Sequence, residues 1–272
     1  MESHAHSNAS DSSRAWLWTG SAFEPTTGLP PTDRGFRYGI SVFESFPVRD
    51  GIGVFFDEHL ARLRHACTAT GFSVPHAALD ACTSFLSGCS DGFARIYVTA
   101  GDGSVTEDFR DCRVLILIEP RAPVPSRVYH RGYDLAMHPG AHIPLFPGLK
   151  VGNYWANLHA FREGVAAQRN ETLLFTTAGH LISACMANVF LVYKGRTKTP
   201  DLSTGARPGV MREWVMGRVE AEECLLTRAE VEAADEIFLT SSRLGIMPAA
   251  SLDGRPLRER KVGGQLLDAW RE

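Results

Sequence analysis

Apolar and polar positions change rhythm several times along the chain. From Trp16 to Val54, short apolar runs alternate with turn signals such as TTGLPPTDRG, which predicts strands joined by tight turns. In FDEHLARLRHACTAT, Leu60, Leu63 and Cys67 recur at three- and four-residue spacing. One face of a helix is therefore apolar there, while Arg62 and Arg64 point elsewhere. ALDACTSFLSG predicts a second helix. FARIYVTAG and CRVLILIEP read as strands, the second apolar enough to be central.

EPRAPVPSR then interrupts the pattern. Proline fixes φ and removes a backbone donor, so a segment with three prolines in nine residues is the best candidate for a crossing between domains. Beyond it, HIPLFPGLKVGNYWANLHAFREGVAA passes from a loop into a helix. ETLLFTTAGHLISACMANVFLVYKGRTKTP reads as a pair of strands with intervening turns. TGARPGVMREWVMGRVEA places Gly and Pro before an amphipathic run, leaving backbone N–H groups at its start free to meet an anion. ADEIFLTSSRLGIMPAASLDGRPL reads as a strand, a polar loop and a hairpin. The expected organisation is α+β: a polar disordered leader over 1–14, a smaller N-terminal domain over 15–120, a linker over 121–130 and a larger domain over 131–272.

Composition narrows the function. With 272 residues and 44% hydrophobic content, the chain can bury the cores of two modest domains. A net charge of -3 without a basic stripe gives no footing for a nucleic-acid partner. The first ten residues lack the basic-then-apolar plan of a secretory signal, and no run approaches the roughly 18 apolar residues that span a bilayer. Cys67, Cys82, Cys89, Cys112, Cys185 and Cys224 are scattered without a CxxC pair. That pattern fits a reducing cytoplasm better than disulfides or a zinc site. There is no GxxxxGK[ST].

Several residues could carry chemistry. Lys150, in the largely apolar FPGLKVGNYW, either snorkels to solvent or, partly withdrawn from water, becomes a nucleophile able to form a Schiff base with an aldehyde cofactor. A phosphate could be held by Arg62, by the amides of Val210 and Met211, or by Ser241 and Ser242 of LTSS. Each also has a bland reading, as a solvated helix position, a turn or a cap. Arg95, inside a strand-like run, lies either at an edge or beside an acidic partner, internal or a substrate carboxylate. Glu44 shares that ambiguity, and His59 reads as a packed or hydrogen-bonded histidine.

In order, DRGFRYGISVFESF, HLARL, ARIYVTAGDG, GLKVGNYWAN, GHLISACMANVFLVYKGRTKTP, TGARPGVMRE and EIFLTSSRLGIMP resemble the fold type IV pyridoxal-phosphate enzymes, over roughly residues 30 to 250. That family includes branched-chain and D-amino-acid aminotransferases and aminodeoxychorismate lyases. The resemblance implies a smaller N-terminal α/β-sandwich domain, a larger C-terminal domain with a barrel-like sheet, and a homodimer acting on small amino and keto acids. It implies that Lys150 holds pyridoxal 5′-phosphate as a Schiff base and shuttles the proton. Arg62, Val210, Met211, Ser241 and Ser242 would bind the phosphate, with Tyr154 near the ring oxygen, Arg95 near the substrate carboxylate and Phe43 lining the substrate pocket.

One departure stands out. The glutamate that the family places against the pyridine nitrogen aligns with Ser183 here. A hydroxyl brings no negative charge, so the ring accepts carbanion electrons less well. The consequence is slow transamination, a reaction less dependent on ring protonation, or loss of catalysis; an acid from elsewhere, Glu44 among them, could also substitute. KVGNYW and Arg95 favour an aminotransferase moving an amino group to a 2-keto acid. ACMANVF and PGVMR lean towards the lyase, which releases pyruvate and an aromatic amine. A non-catalytic cofactor-binding protein is the remaining alternative.

Overall fold

A computed structural model describes residues 14–271, so the expected leader lies outside the described residues except for Arg14, which opens the first strand. The chain forms two compact units, one reaching Ala122 and the other starting at Pro123.

The N-terminal unit is built around a six-stranded antiparallel sheet. Its elements are β1 (Arg14–Trp18), β2 (Phe23–Thr26), α1 (Arg34–Tyr38), β3 (Ser41–Arg49), β4 (Ile52–Gly53), α2 (Phe56–Ala69), α3 (His76–Leu86), β5 (Gly92–Thr99) and β6 (Arg113–Glu119). The order β2-β1-β6-β5-β3-β4 puts the apolar β6 in the interior. Strict alternation gives the sheet two faces. Val42, Glu44 and Phe46 of β3 join Ala94, Ile96 and Val98 of β5 and Val114, Ile116 and Ile118 of β6 on the buried face. Helix α2 packs on that face, its Phe56 and His59 rings 5.4 and 5.2 Å from Phe46. Phe43, Arg95 and Tyr97 share the other, half-exposed face. The buried stripe of α2 differs from the expected one. His59 replaces the half-buried Leu60 beside Leu63, Ala66 and Cys67, because a polar partner across from it makes histidine burial tolerable.

In the C-terminal unit, α4 (Ser126–Arg131) starts within the segment read as linker. Pro125 sits at its cap, where a missing N–H and fixed φ suit a helix start. There follow β7 (Tyr133–Ala141), α5 (Trp155–Ala166), β8 (Glu171–Phe175), β9 (Leu181–Ala184), β10 (Asn188–Tyr193), β11 (Arg196–Pro200), α6 (Val210–Met216), β12 (Ala221–Cys224), α7 (Arg228–Glu232), β13 (Glu236–Ser241), β14 (Gly245–Leu252), β15 (Arg255–Pro256) and α8 (Lys261–Arg271). The strands form one curled sheet, β12-β11-β10-β13-β14-β7-β8-β9, with β15 on β14.

The stretch read as a pair of strands is four, β8 to β11. Lys194 and Gly195, both with positive φ, make the tight turn between β10 and β11, and the 176–179 turn separates β8 from β9. Strand β8 is buried throughout because it is covered twice. Ala160 and Phe161 of α5 pack against Leu174 and Cys185 on one side, and Leu173 and Phe175 enter the main core with Leu135, Val189, Leu239 and Met247 on the other. No helix among the described residues is long and apolar enough to cross a membrane.

Candidate active site

Lys150 ends the 142–149 loop, just before α5, and Tyr154 occupies the N-cap of that helix. The loop lies against the turn that precedes α6. The Gly148 N–H donates to the Gly205 carbonyl at 3.3 Å, and Gly205 has φ +89 at a place where a Cβ would stand 2.7 Å from Pro144 Cγ. Glycine is needed there on both counts. The close approach gathers two side chains around the Tyr154 ring. Lys150 Nζ is 5.2 Å from the Tyr154 ring centroid, Arg207 Cζ is 5.8 Å from it, and Arg207 Nη2 donates to Tyr154 Oη at 3.2 Å. All three residues are half-buried.

The turn holding Arg207 is fixed from β10. Asn188 Nδ2 donates to the Arg207 carbonyl at 2.8 Å, and a Cβ on Gly209 would run into Asn188 Oδ1. Helix α6 then begins with no side-chain cap, and its bonding starts from the Glu213 N–H to the Gly209 carbonyl at 2.9 Å. The amides of Val210 and Met211 precede that bond and are unsatisfied within the helix. Asn188 pairs across the sheet with Thr240, so the same register brings Ser241 and Ser242 to the neighbouring strand end. Ser241 Oγ accepts from the Leu244 N–H at 3.2 Å.

Two buried polar atoms in this neighbourhood, Arg207 Nε and Thr240 Oγ1, have no hydrogen-bond partner among the described residues. Amine, guanidinium, uncapped amides and orphaned donors together suit an anionic aldehyde cofactor such as pyridoxal phosphate.

Ser183 is half-buried on β9, opposite Leu174. The buried carboxylate of that region is Glu171. It accepts from the Thr172, Cys185 and Met186 N–H groups at 2.9, 3.1 and 3.2 Å, which ties β8 to the turn after β9. Burial pushes its carboxyl up to about 7, against the pull of those backbone donors.

The N-terminal unit holds the other predicted residues. Glu44 accepts from Arg62 Nε and Nη2, both at 2.7 Å, and lies 2.8 Å from His59 Nδ1. Burial alone would raise this carboxyl, but its bonds to His59 and Arg62 hold it at about 2. Arg62 is therefore oriented by Glu44 rather than solvated, and Glu44 is committed to these two partners. The Phe43 ring stacks on Tyr97 at 5.1 Å, and the Arg95 guanidinium is ion-paired with Glu119. Within this unit, Phe43 and Arg95 issue from the face opposite the one that carries Glu44.

Sequence reasoning missed Arg207 and Asn188. The available signal for Arg207 was a charge set among small residues and prolines, GARPG, immediately before a helix start. Asn188 lay inside the ANVFLV motif without a role.

A family model, amino-transferase class IV, matches residues 41–252. The chain is 30% identical to the aminodeoxychorismate lyase of Bacillus subtilis over 241 residues, 83% of this chain and 82% of that one. It is 26% identical to the branched-chain-amino-acid aminotransferase of Salmonella typhimurium over 257 residues, 84% and 81%. The crystal structure of 4-amino-4-deoxychorismate lyase from Pseudomonas aeruginosa superimposes with a TM-score of 0.83 at 30% identity, covering 94% of this chain and 98% of that one.

Proposed function

Since the chain belongs to the class IV amino-transferase family, the fold type IV pyridoxal-phosphate enzymes, we propose that it is a lyase converting an aminodeoxychorismate-type substrate to pyruvate and an aromatic amine. The observation that carries this reading is the 30% identity, across more than four-fifths of the chain, to lyases from two bacteria. Ser183 supports it. A reaction driven by aromatisation of its own product leans less on electron withdrawal by the cofactor ring than transamination does.

When bound, pyridoxal phosphate would supply the electron sink that acidifies the C–H beside the substrate amine. The chain's own residues do the rest. Lys150, once its amine is freed, takes the proton from the ring carbon and returns it to the leaving enolpyruvyl group. The ether C–O bond breaks, the six-membered ring becomes aromatic, and the released enol becomes pyruvate, so atoms balance without an added acceptor. In the C-terminal unit the Val210 and Met211 amides, Ser241 and Ser242 would hold the phosphate; in the N-terminal unit Arg62, in the orientation that Glu44 sets, is the residue suited to a phosphate. Tyr154, beside Lys150, would border the cofactor. Holding cofactor and substrate in register converts a bimolecular proton transfer into a local one.

The second reading is an aminotransferase, favoured by the 26% identity to the Salmonella enzyme and by KVGNYW. It differs in one requirement, a 2-keto acid acceptor. The test incubates the protein and pyridoxal phosphate with 4-amino-4-deoxychorismate and measures pyruvate by its reduction to lactate. The expected outcome is pyruvate and aromatic amine formed one for one with no keto acid added. Turnover confined to an amino acid paired with a keto acid would replace the lyase by the aminotransferase.

A further inference from the structure

The fully buried Arg34 and Arg212 and the partly buried Arg62 and Arg113 have their charge answered internally. Arg62 meets Glu44, Arg113 meets Asp33 and Asp102, and Arg212 meets Glu213 and Glu223. Arg34 is wrapped by the carbonyls of Ala100, Gly101, Ser104 and Glu107. Arg207 is different. Among the described residues, its side-chain hydrogen bond goes to the Tyr154 hydroxyl, no carboxylate ion-pairs with it, and its Nε is buried without a partner. A guanidinium withdrawn from water without a counter-charge is costly, and a bound anion relieves that cost.

We propose that Arg207 is the carboxylate-binding residue of the Lys150 site, taking a substrate carboxylate oxygen through Nε. The proposal rests on the reading of Lys150 as the reactive amine. Three features aim the group. Asn188 pins the Arg207 backbone carbonyl, Pro208 follows with fixed φ, and the Tyr154 hydroxyl holds Nη2. Nε and Nη2 share one edge of the guanidinium, the edge that receives a carboxylate side-on. Tyr154 also borders Lys150, so a carboxylate on this edge places its amine-bearing carbon on the lysine side of the ring. The role assigned to Arg95 by resemblance passes to Arg207, because Arg95 already holds Glu119.

The test measures binding by calorimetry to the protein loaded with pyridoxal phosphate. The probes are 4-aminobenzoate and 4-methylpentanoate, each beside its primary amide, and the carboxylate-to-amide preference is internal to each variant. The wild type is expected to prefer at least one carboxylate by about ten- to a hundred-fold, a preference that Arg207→Leu abolishes and Arg207→Lys partly restores. An unchanged preference in Arg207→Leu overturns the proposal. So does equal weakening of acid and amide, which would mean packing alone, or weakened cofactor binding with the preference intact, which would mean that Nε serves the cofactor oxygen. If Arg207→Leu fails to fold, Arg207→Lys decides by the same ratio. Failure of the lyase reading is separate: 4-methylpentanoate would then show the arginine-dependent preference and 4-aminobenzoate would not. Absence of a visible cofactor band in the wild type would instead remove the Lys150 reading on which the proposal stands.

Discussion

The charge on Glu44 is stabilised by two partners and in turn aims Arg62. Removing one member of a buried charge cluster leaves the others uncompensated. Glu44→Ala is therefore expected to lower stability by about 3–5 kcal/mol and, if Arg62 is the proposed phosphate ligand, to weaken retention of pyridoxal phosphate. Denaturant titration and cofactor dialysis check the two effects separately. Glu171 behaves in the opposite way. Its carboxyl titrates near 7 in the folded protein against an ordinary 4.5, so the folded state keeps a proton that the unfolded state has released. Stability from this group is full below 4.5 and falls as pH rises to 7, by about 3 kcal/mol. Glu171→Gln is expected to flatten the decline in melting temperature between pH 5 and 8, and an unchanged slope would assign that decline to other groups.

Among elements, Asn188 of β10 holds the turn at the start of α6. Asn188 both bonds the Arg207 carbonyl and fills the space beside Gly209. Gly209→Ala forces Asn188 out of its hydrogen bond, with an expected cost of about 1–3 kcal/mol, and should shift the Val210 and Met211 amides enough to weaken binding of the cofactor phosphate. Equilibrium dialysis of pyridoxal phosphate, compared with Asn188→Ala, checks whether both changes act on the same turn. This element was half legible in the sequence. Gly209 and Pro208 before an amphipathic run announced a helix start able to meet an anion, because capping chemistry is local. The bond from Arg207 to Tyr154 spans 53 residues and depends on the approach of two loops, which no periodicity records. Likewise His59 looked like a packed histidine, but its partner Glu44 is 15 residues away on a strand. The extra strands β9 and β11 escaped notice because LISA and RTKTP are short. Their pairing comes from the turns at 176–179 and at Lys194–Gly195 rather than from a long apolar run.

The two units have their own cores, and the resemblance that identified them rested on ordered motifs spread over both, which is why the fold was readable where single contacts were not. On the C-terminal unit, Ile143, Leu145 and Trp155 are exposed at 72%, 68% and 78% around the Lys150 loop and the start of α5. Large exposed apolar groups on this loop and helix start suit burial by another chain, and the homodimer that the family resemblance implies predicts a sedimentation mass of twice 29.8 kDa. A monomer at micromolar concentration would count against that assembly.

Lys150 is the proposed carrier of the cofactor. The most direct measurement is borohydride reduction of the protein with pyridoxal phosphate, followed by peptide mass mapping. The expected result is a single phosphopyridoxyl group on Lys150, absent from Lys150→Ala. Labelling spread over the other lysines, Lys194, Lys198 and Lys261, or an equal yield in Lys150→Ala, would contradict it.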